Sequence, residues 1–103
     1  MINLTILKSN DAITTIQAKG HSGYAVAGQD IVCSAVSTIM QTTLNGLLEV
    51  VKADVDYQID EQIPFLRISV NEQDRQAQIL MQSAYLALKQ IADDYKNYIK
   101  IKE

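Results

Sequence analysis

The chain holds one histidine and one cysteine, His21 and Cys33, and they stand twelve positions apart. Between them runs a glycine-containing stretch, Gly20-His21-Ser22-Gly23-Tyr24-Ala25-Val26-Ala27-Gly28-Gln29-Asp30-Ile31-Val32-Cys33. Asp30 is a preferred helix N-cap, and with it as cap Cys33 falls at the third helical position. A thiol in the first turn of a helix lies near unpaired backbone N–H groups and the positive end of the dipole, which favour the thiolate. A thiolate is a nucleophile suited to covalent catalysis. An imidazole brought to it by a folded-back loop can pair with the sulfur and then protonate a leaving amine. The first-turn N–H groups can also receive an oxyanion. Asp30 either orients the His21 imidazole or spends its carboxylate on the cap. Ser37, one turn beyond Cys33, shares its helical face. The plainer alternatives are a small buried thiol in an apolar helix and an ordinary surface histidine.

These residues need elements to hold them. Ile2, Leu4 and Ile6 alternate with Asn3 and Thr5, Ser9-Asn10-Asp11 has turn chemistry, and a β-branched run follows from Ile13 to Ala18. Residues 2–18 therefore read as a hairpin. Residues 20–29 form the longest candidate loop. From Asp30 a helix begins, with Val32, Val36, Ile39, Met40, Thr43, Leu47 and Val50 on one stripe. Ala35, Leu44, Leu48 and Val51 widen that stripe enough to predict burial on two sides. Gly46 interrupts it at a cost of about 1 kcal/mol relative to Ala, which a close packing neighbour accounts for. Val55, Tyr57 and Ile59 alternate with acidic and amide residues as a half-exposed strand, residues 61–64 turn, and Leu66, Ile68 and Val70 return. Asn71 is the expected cap of a second helix with the stripe Ala77, Leu80, Met81, Ala84, Leu88, Ile91, Ala92 and Tyr95. Residues 98–102 alternate as a short last strand, guarded from edge pairing by Lys100 and Lys102. The order ββαββα, with that terminal strand, predicts an α+β fold of two layers, a mostly antiparallel sheet carrying two helices.

Composition narrows the function. At 103 residues and 48% hydrophobic, residues 1–103 suit one globular domain. The net charge of −3 and scattered lysines give no basis for binding nucleic acid through its phosphates. One cysteine permits no internal disulfide, and one Cys with one His is too few for a structural zinc site. No metal or other cofactor is expected. The N-terminus lacks the basic and apolar regions of a signal peptide. The apolar stretch from residue 31 to residue 51 carries too many Ser, Thr, Gln, Asn and Glu residues for a membrane span. A cytoplasmic protein without membrane contact is expected.

Gly20-His21-Ser22, then Gly28, then Asp30-Ile31-Val32-Cys33-Ser34-Ala35-Val36-Ser37 resembles the signature of the ribosomal-processing cysteine proteases, the Prp family. The resemblance covers about a sixth of the chain, while length and element order agree over the rest. It implies a small, homodimeric, cytoplasmic bacterial protease that removes the N-terminal extension of the large-subunit ribosomal protein numbered twenty-seven. It further implies Cys33 as nucleophile, His21 as base and acid, and supporting positions at Asp30 and Ser37. Gly20, Ser22, Gly23, Tyr24 and Gly28 would belong to a loop that covers an apolar and aromatic peptide. A protein of another class remains open on the residues alone: a non-catalytic, ribosome-associated peptide clamp, which would tolerate Cys33→Ser. A redox sensor is a third reading, and it lacks a resolving cysteine within the chain.

Overall fold

The computed structural model describes residues 1–26, 30–60 and 62–103. Strand β1 (Ile2–Ser9) turns through Asn10 and Asp11 into β2 (Ala12–Lys19). Both turn residues have positive φ, 50° and 69°, the left-handed pair that a two-residue hairpin requires and that Asn and Asp accept. Helix α1 (Ile31–Asn45) continues into a five-residue π-helical segment, Gly46–Val50, before the hairpin β3 (Val55–Asp60) and β4 (Phe65–Val70). Helix α2 (Arg75–Asp94) and strand β5 (Ile99–Lys102) close the order. The sheet runs β3-β4-β2-β1-β5, antiparallel except where β5 lies parallel to β1. This is the two-layer α+β architecture expected, with the short terminal strand at one edge.

The core lies between one face of the sheet and both helices. Ile2, Leu4, Ile6, Ile16 and Ile68 from the strands meet Val32, Val36, Met40 and Leu47 from the first helical run and Met81 and Leu88 from α2, all essentially buried. By length and composition the stretch Ile31–Val50 is apolar enough to cross a membrane. In this fold its inner face packs into the core, as a core helix of a soluble protein does. Gly46, the first residue of the π-helical segment, faces α2, and a Cβ there would stand 3.0 Å from Leu80 Cδ1. The close neighbour inferred from the stripe is therefore Leu80.

Three expectations change in detail. The wide apolar stripe is buried or half-buried along its length but ends early: Val50, in the π-helical segment, is 78% exposed. The cap of α2 is Asp74, whose carboxylate accepts the Ala77 N–H at 3.0 Å, while Asn71 accepts from Gln73 N–H in the preceding turn. Asn71 has the right chemistry, but the chain makes one more turn before the helical φ/ψ begin. Strand β3 is not half-buried: Tyr57 and Ile59 are 44% and 60% exposed. It is the outermost strand, and α2 packs over β2 and β5, at the other side of the sheet.

Ile13 and Ile16 both face the core although three positions separate them, which a regular strand forbids. The register shift reconciles them: Leu7 pairs with Thr15 and Lys8 with Ile13, leaving Thr14 as the extra residue of a bulge. At this irregular point the Gln78 side chain of α2 serves as a strand partner. Its Oε1 accepts the Ile13 N–H at 2.8 Å and its Nε2 donates to the Ile13 carbonyl at 2.8 Å. Gln78→Ala removes both bonds, so we expect a loss of about 1–3 kcal/mol, read as a lower urea midpoint with unchanged slope.

Candidate active site

Residues 20–26 leave β2 and approach the N-terminus of α1. Gly20 begins this segment with φ 100°, and its N–H donates to the Pro64 carbonyl at 2.9 Å. A Cβ there would lie 2.7 Å from the Met1 carbonyl oxygen, so the backbone contact itself requires glycine. Gly23 also has positive φ, 75°.

The helix begins as the capping argument expects. Asp30 has extended backbone, and its Oδ1 accepts the Cys33 N–H at 2.9 Å. The Asp30 carbonyl accepts the Ser34 N–H at 3.1 Å, the first bond of the helical ladder. The other carboxylate oxygen, Oδ2, accepts the Ser22 hydroxyl. Ser22 is 4% exposed, and its oxygen also accepts the Tyr24 N–H at 3.1 Å. Asp30 is thus held by the helix on one oxygen and by the loop on the other. The Cys33 amide, above all, and then the Ser22 hydroxyl hold the Asp30 carboxyl below its ordinary value of 3.8.

Two clefts open beside Cys33. One, of about 480 Å³, is lined by His21, Gly23, Ala25, Asp30, Cys33, Ser34 and Ser37. The other, of about 400 Å³, lies between α1 and the β3–β4 end of the sheet. Its walls include Ala18, Met40, Leu44, Ile59, Phe65 and Leu66, and it too reaches Cys33 and Ser37. Cys33 is half-buried and free. The structure therefore brings His21, Asp30, Cys33 and Ser37 to one cleft and makes the Cys33–Ser37 turn of α1 the divide between two clefts.

The remaining loop positions divide. Gly23 lines the cleft with His21, and Gly20 lines the apolar cleft. Ser22 is turned inward to Asp30. Tyr24 packs edge-on against Tyr95 and Tyr98, with ring centroids 5.8 and 5.2 Å away. Gly28 lies outside the described residues. Two features were not read from the sequence. One is the apolar wall from β3 and β4, signalled by Ile59 and Leu66 on one face of a hairpin. The other is the tyrosine pair at the end of α2, for which the stripe offered only Tyr95. Among the described residues no three His, Cys, Asp or Glu side chains gather as a metal site would need.

A lone thiol at a capped helix start, a histidine on the same cleft and an adjoining apolar groove suit one class, a thiol-dependent hydrolase of peptides. The comparisons give the family. A family model described as cysteine protease Prp matches residues 1–100, and the chain belongs to that family. The ribosomal processing cysteine protease Prp of Bacillus subtilis is 28% identical over 107 residues, covering 98% of this chain and 96% of the relative. The crystal structure of the essential ribosomal processing protease Prp from S. aureus, with a covalently linked product peptide, superposes with a TM-score of 0.92. It is 24% identical and covers 99% of this chain and 98% of that one. SMU.848 from Streptococcus mutans superposes with a TM-score of 0.86 at 27% identity, covering 99% of this chain and 92% of that one. The protein is a cysteine protease of the ribosomal-processing kind, the enzymatic reading rather than the clamp.

Asp30 also sets a pH dependence. Its pKa is depressed in the folded state, so its contribution to stability is complete above the ordinary value and is lost as pH falls through the folded value. Asn keeps capping ability and has no charge to lose. The stability advantage of wild type over Asp30→Asn should therefore narrow as pH drops below 3.8, as urea midpoints taken down the acid range would show.

Proposed function

We propose that Cys33 is the nucleophile and His21 the base and acid of this protease, and that the substrate is the N-terminal extension of the large-subunit ribosomal protein numbered twenty-seven. The observation that carries this is the position of Cys33, shared by a His21-lined cleft and an apolar cleft. A peptide crossing the Cys33–Ser37 turn places its scissile carbonyl at the sulfur while apolar or aromatic side chains enter the groove of Met40, Leu44, Phe65 and Leu66. The S. aureus relative holds a product peptide covalently, which fits attack by a protein nucleophile.

The reaction follows from the groups present. His21 takes the thiol proton, and the Cys33 Sγ pair attacks the carbonyl carbon, moving the C=O π electrons onto oxygen. Collapse re-forms the carbonyl and breaks the C–N bond, and the imidazolium gives its proton to the departing amine. A thioester remains. Water, deprotonated by His21, then adds to it, and collapse releases the acid and the thiol. The Cys33 N–H is committed to Asp30, so an oxyanion draws on the other first-turn amides, those of Ile31 and Val32, which lack intrahelical acceptors. Ser37, exposed one turn from Cys33, is placed to meet the peptide.

The family and the absence of any need for an oxidised cysteine suit the cytoplasm, where the precursor is made. Ile31 at the start of α1 and Val50 in the π-helical segment after it are exposed apolar side chains that a second copy would bury, which suits a homodimer. Sedimentation at micromolar concentration should then give a dimer, and a monomer would count against this pairing.

Mass spectrometry of a ribosomal protein carrying the extension, incubated with wild type or Cys33→Ala, tests the function. Cleavage at one bond by wild type alone is expected. Retained cleavage by Cys33→Ala would remove Cys33 from the chemistry.

A further inference from the structure

The face of the sheet that the helices leave bare carries its charges in an order that the linear sequence hides. Strand register sets Arg67, Gln17, Thr5 and Lys102 in one row across β4, β2, β1 and β5. The row two residues away holds Lys19, Asn3 and Lys100, with Phe65 at its end. Their strand neighbours Ile2, Leu4, Ile16, Ile68 and Ile99 are buried against the helices, so the residues of both rows point to the bare side. All four cations are exposed. Lysines that look scattered along the chain are thus gathered by the pairing of strands distant in sequence.

No charge of opposite sign lies among them. These four strands contain no Asp or Glu, and the acids begin at β3, with Asp56 and Asp60. Glu103, next to Lys102, turns to the helix side, where it pairs with Lys8 at 2.9 Å and accepts the Tyr85 hydroxyl. Among the described residues, none of the four cations forms an ion pair. At sheet spacing they extend about 14 Å across the strands and about 7 Å along them. That area is too broad for one phosphate and suits several. Asn3, Thr5 and Gln17, set between the cations, add neutral donors and acceptors of the kind that meet phosphate oxygens and ribose hydroxyls. The only ring in the two rows is the half-buried Phe65, which offers little for unpaired bases to stack on, so a duplex fits better than a single strand.

We propose that the bare face of the sheet, through Lys19, Arg67, Lys100 and Lys102, binds the backbone of double-stranded RNA. The choice of RNA over another polyanion rests on the ribosomal substrate proposed above. Cys33 and the two clefts beside it belong to α1 and the other side of the sheet, so RNA held here leaves the peptide path open. The protease would then meet its substrate beside the RNA on which ribosomal proteins assemble.

Fluorescence anisotropy of a labelled double-stranded RNA tests this, with unlabelled RNA, a DNA duplex of the same sequence and polyglutamate as competitors. Four phosphate contacts predict a log–log salt slope of about −3.6, hence binding roughly 150-fold weaker at about 200 mM than at about 50 mM salt. Lys100→Gln with Lys102→Gln and, on other strands, Lys19→Gln with Arg67→Gln should each weaken binding about tenfold or more at the lower salt and make the slope shallower by about 2. Arg75→Gln with Lys96→Gln removes the same charge elsewhere and should bind as wild type does. All three double variants should cut the short extension peptide at the wild-type rate, which keeps a fold defect from passing as a binding defect. Equal RNA binding by the three double variants would overturn the proposal, as would failure of wild type to bind at the lower salt. Polyglutamate or DNA competing as well as RNA would overturn it too, by making the face a general site for anions. Binding needs no cleavage: RNA bound by a wild type that leaves the extension peptide uncut would sink the substrate assignment and uphold the RNA face.

Discussion

The arrangement around the thiol depends on how one carboxylate divides its two oxygens. Asp30 gives one to the Cys33 amide and one to the Ser22 hydroxyl. The first bond starts the helix that carries the sulfur, and the second closes the end of that helix onto the segment that carries His21. An aspartate suits both duties because an ionised carboxylate accepts on each oxygen, and both bonds are strengthened by its charge. This division also limits what the site can do. With the Cys33 amide already bonded, stabilisation of an oxyanion passes to other donors. Both carboxylate oxygens are engaged, one by the helix and one by the loop, so the first structural duty of Asp30 is to join the two.

The position of the site follows from the incomplete overlap of the two layers. α2 packs on β2 and β5, leaving β3 at the far edge. The helix-facing side of the β3–β4 hairpin, with Ile59 and Leu66, is then a wall without a roof, and α1 supplies the opposite wall through Met40 and Leu44. An apolar groove so formed costs the fold part of the burial that Tyr57 and Ile59 would otherwise gain. The groove left open in this way reaches Cys33, and on the proposed function it is where a peptide would lie. Ile59 alternates with Asp60 and Gln58 like any core-facing strand residue, so its sequence pattern does not separate a wall that faces a helix from one that faces a ligand.

Much of this was legible in the residues. The capping relation of Asp30 and Cys33 follows from spacing alone, as do the hairpins, both helices and the charged terminal strand. The parts that escaped have physical reasons. Asn71 and Asp74 are both good caps, and the choice between them depends on where tertiary packing lets helical φ/ψ begin. The bulge at Thr14 was latent in the spacing of Ile13 and Ile16, but its stability needs Gln78, distant in sequence, to pair the freed backbone. Tyr24 and Tyr98 read as a loop residue and a strand-edge residue, and only the fold brings them together.

Glycine content in such a loop invites the inference of mobility, yet the described part shows a different use of it. Gly20 is glycine because the Met1 carbonyl lies where a Cβ would be, and that closeness ties the loop's first residue to the N-terminal strand and, through its N–H, to the β3–β4 turn. Gly23 has positive φ with open space around it, so it serves to bend the segment between two anchored residues, Ser22 and Tyr24. Backbone freedom in the unfolded chain is here converted into a fixed path that only glycine can follow. The result is a short segment held along its inner side by Ser22 and Tyr24, with His21, Gly23 and Ala25 on the cleft that Cys33 also lines.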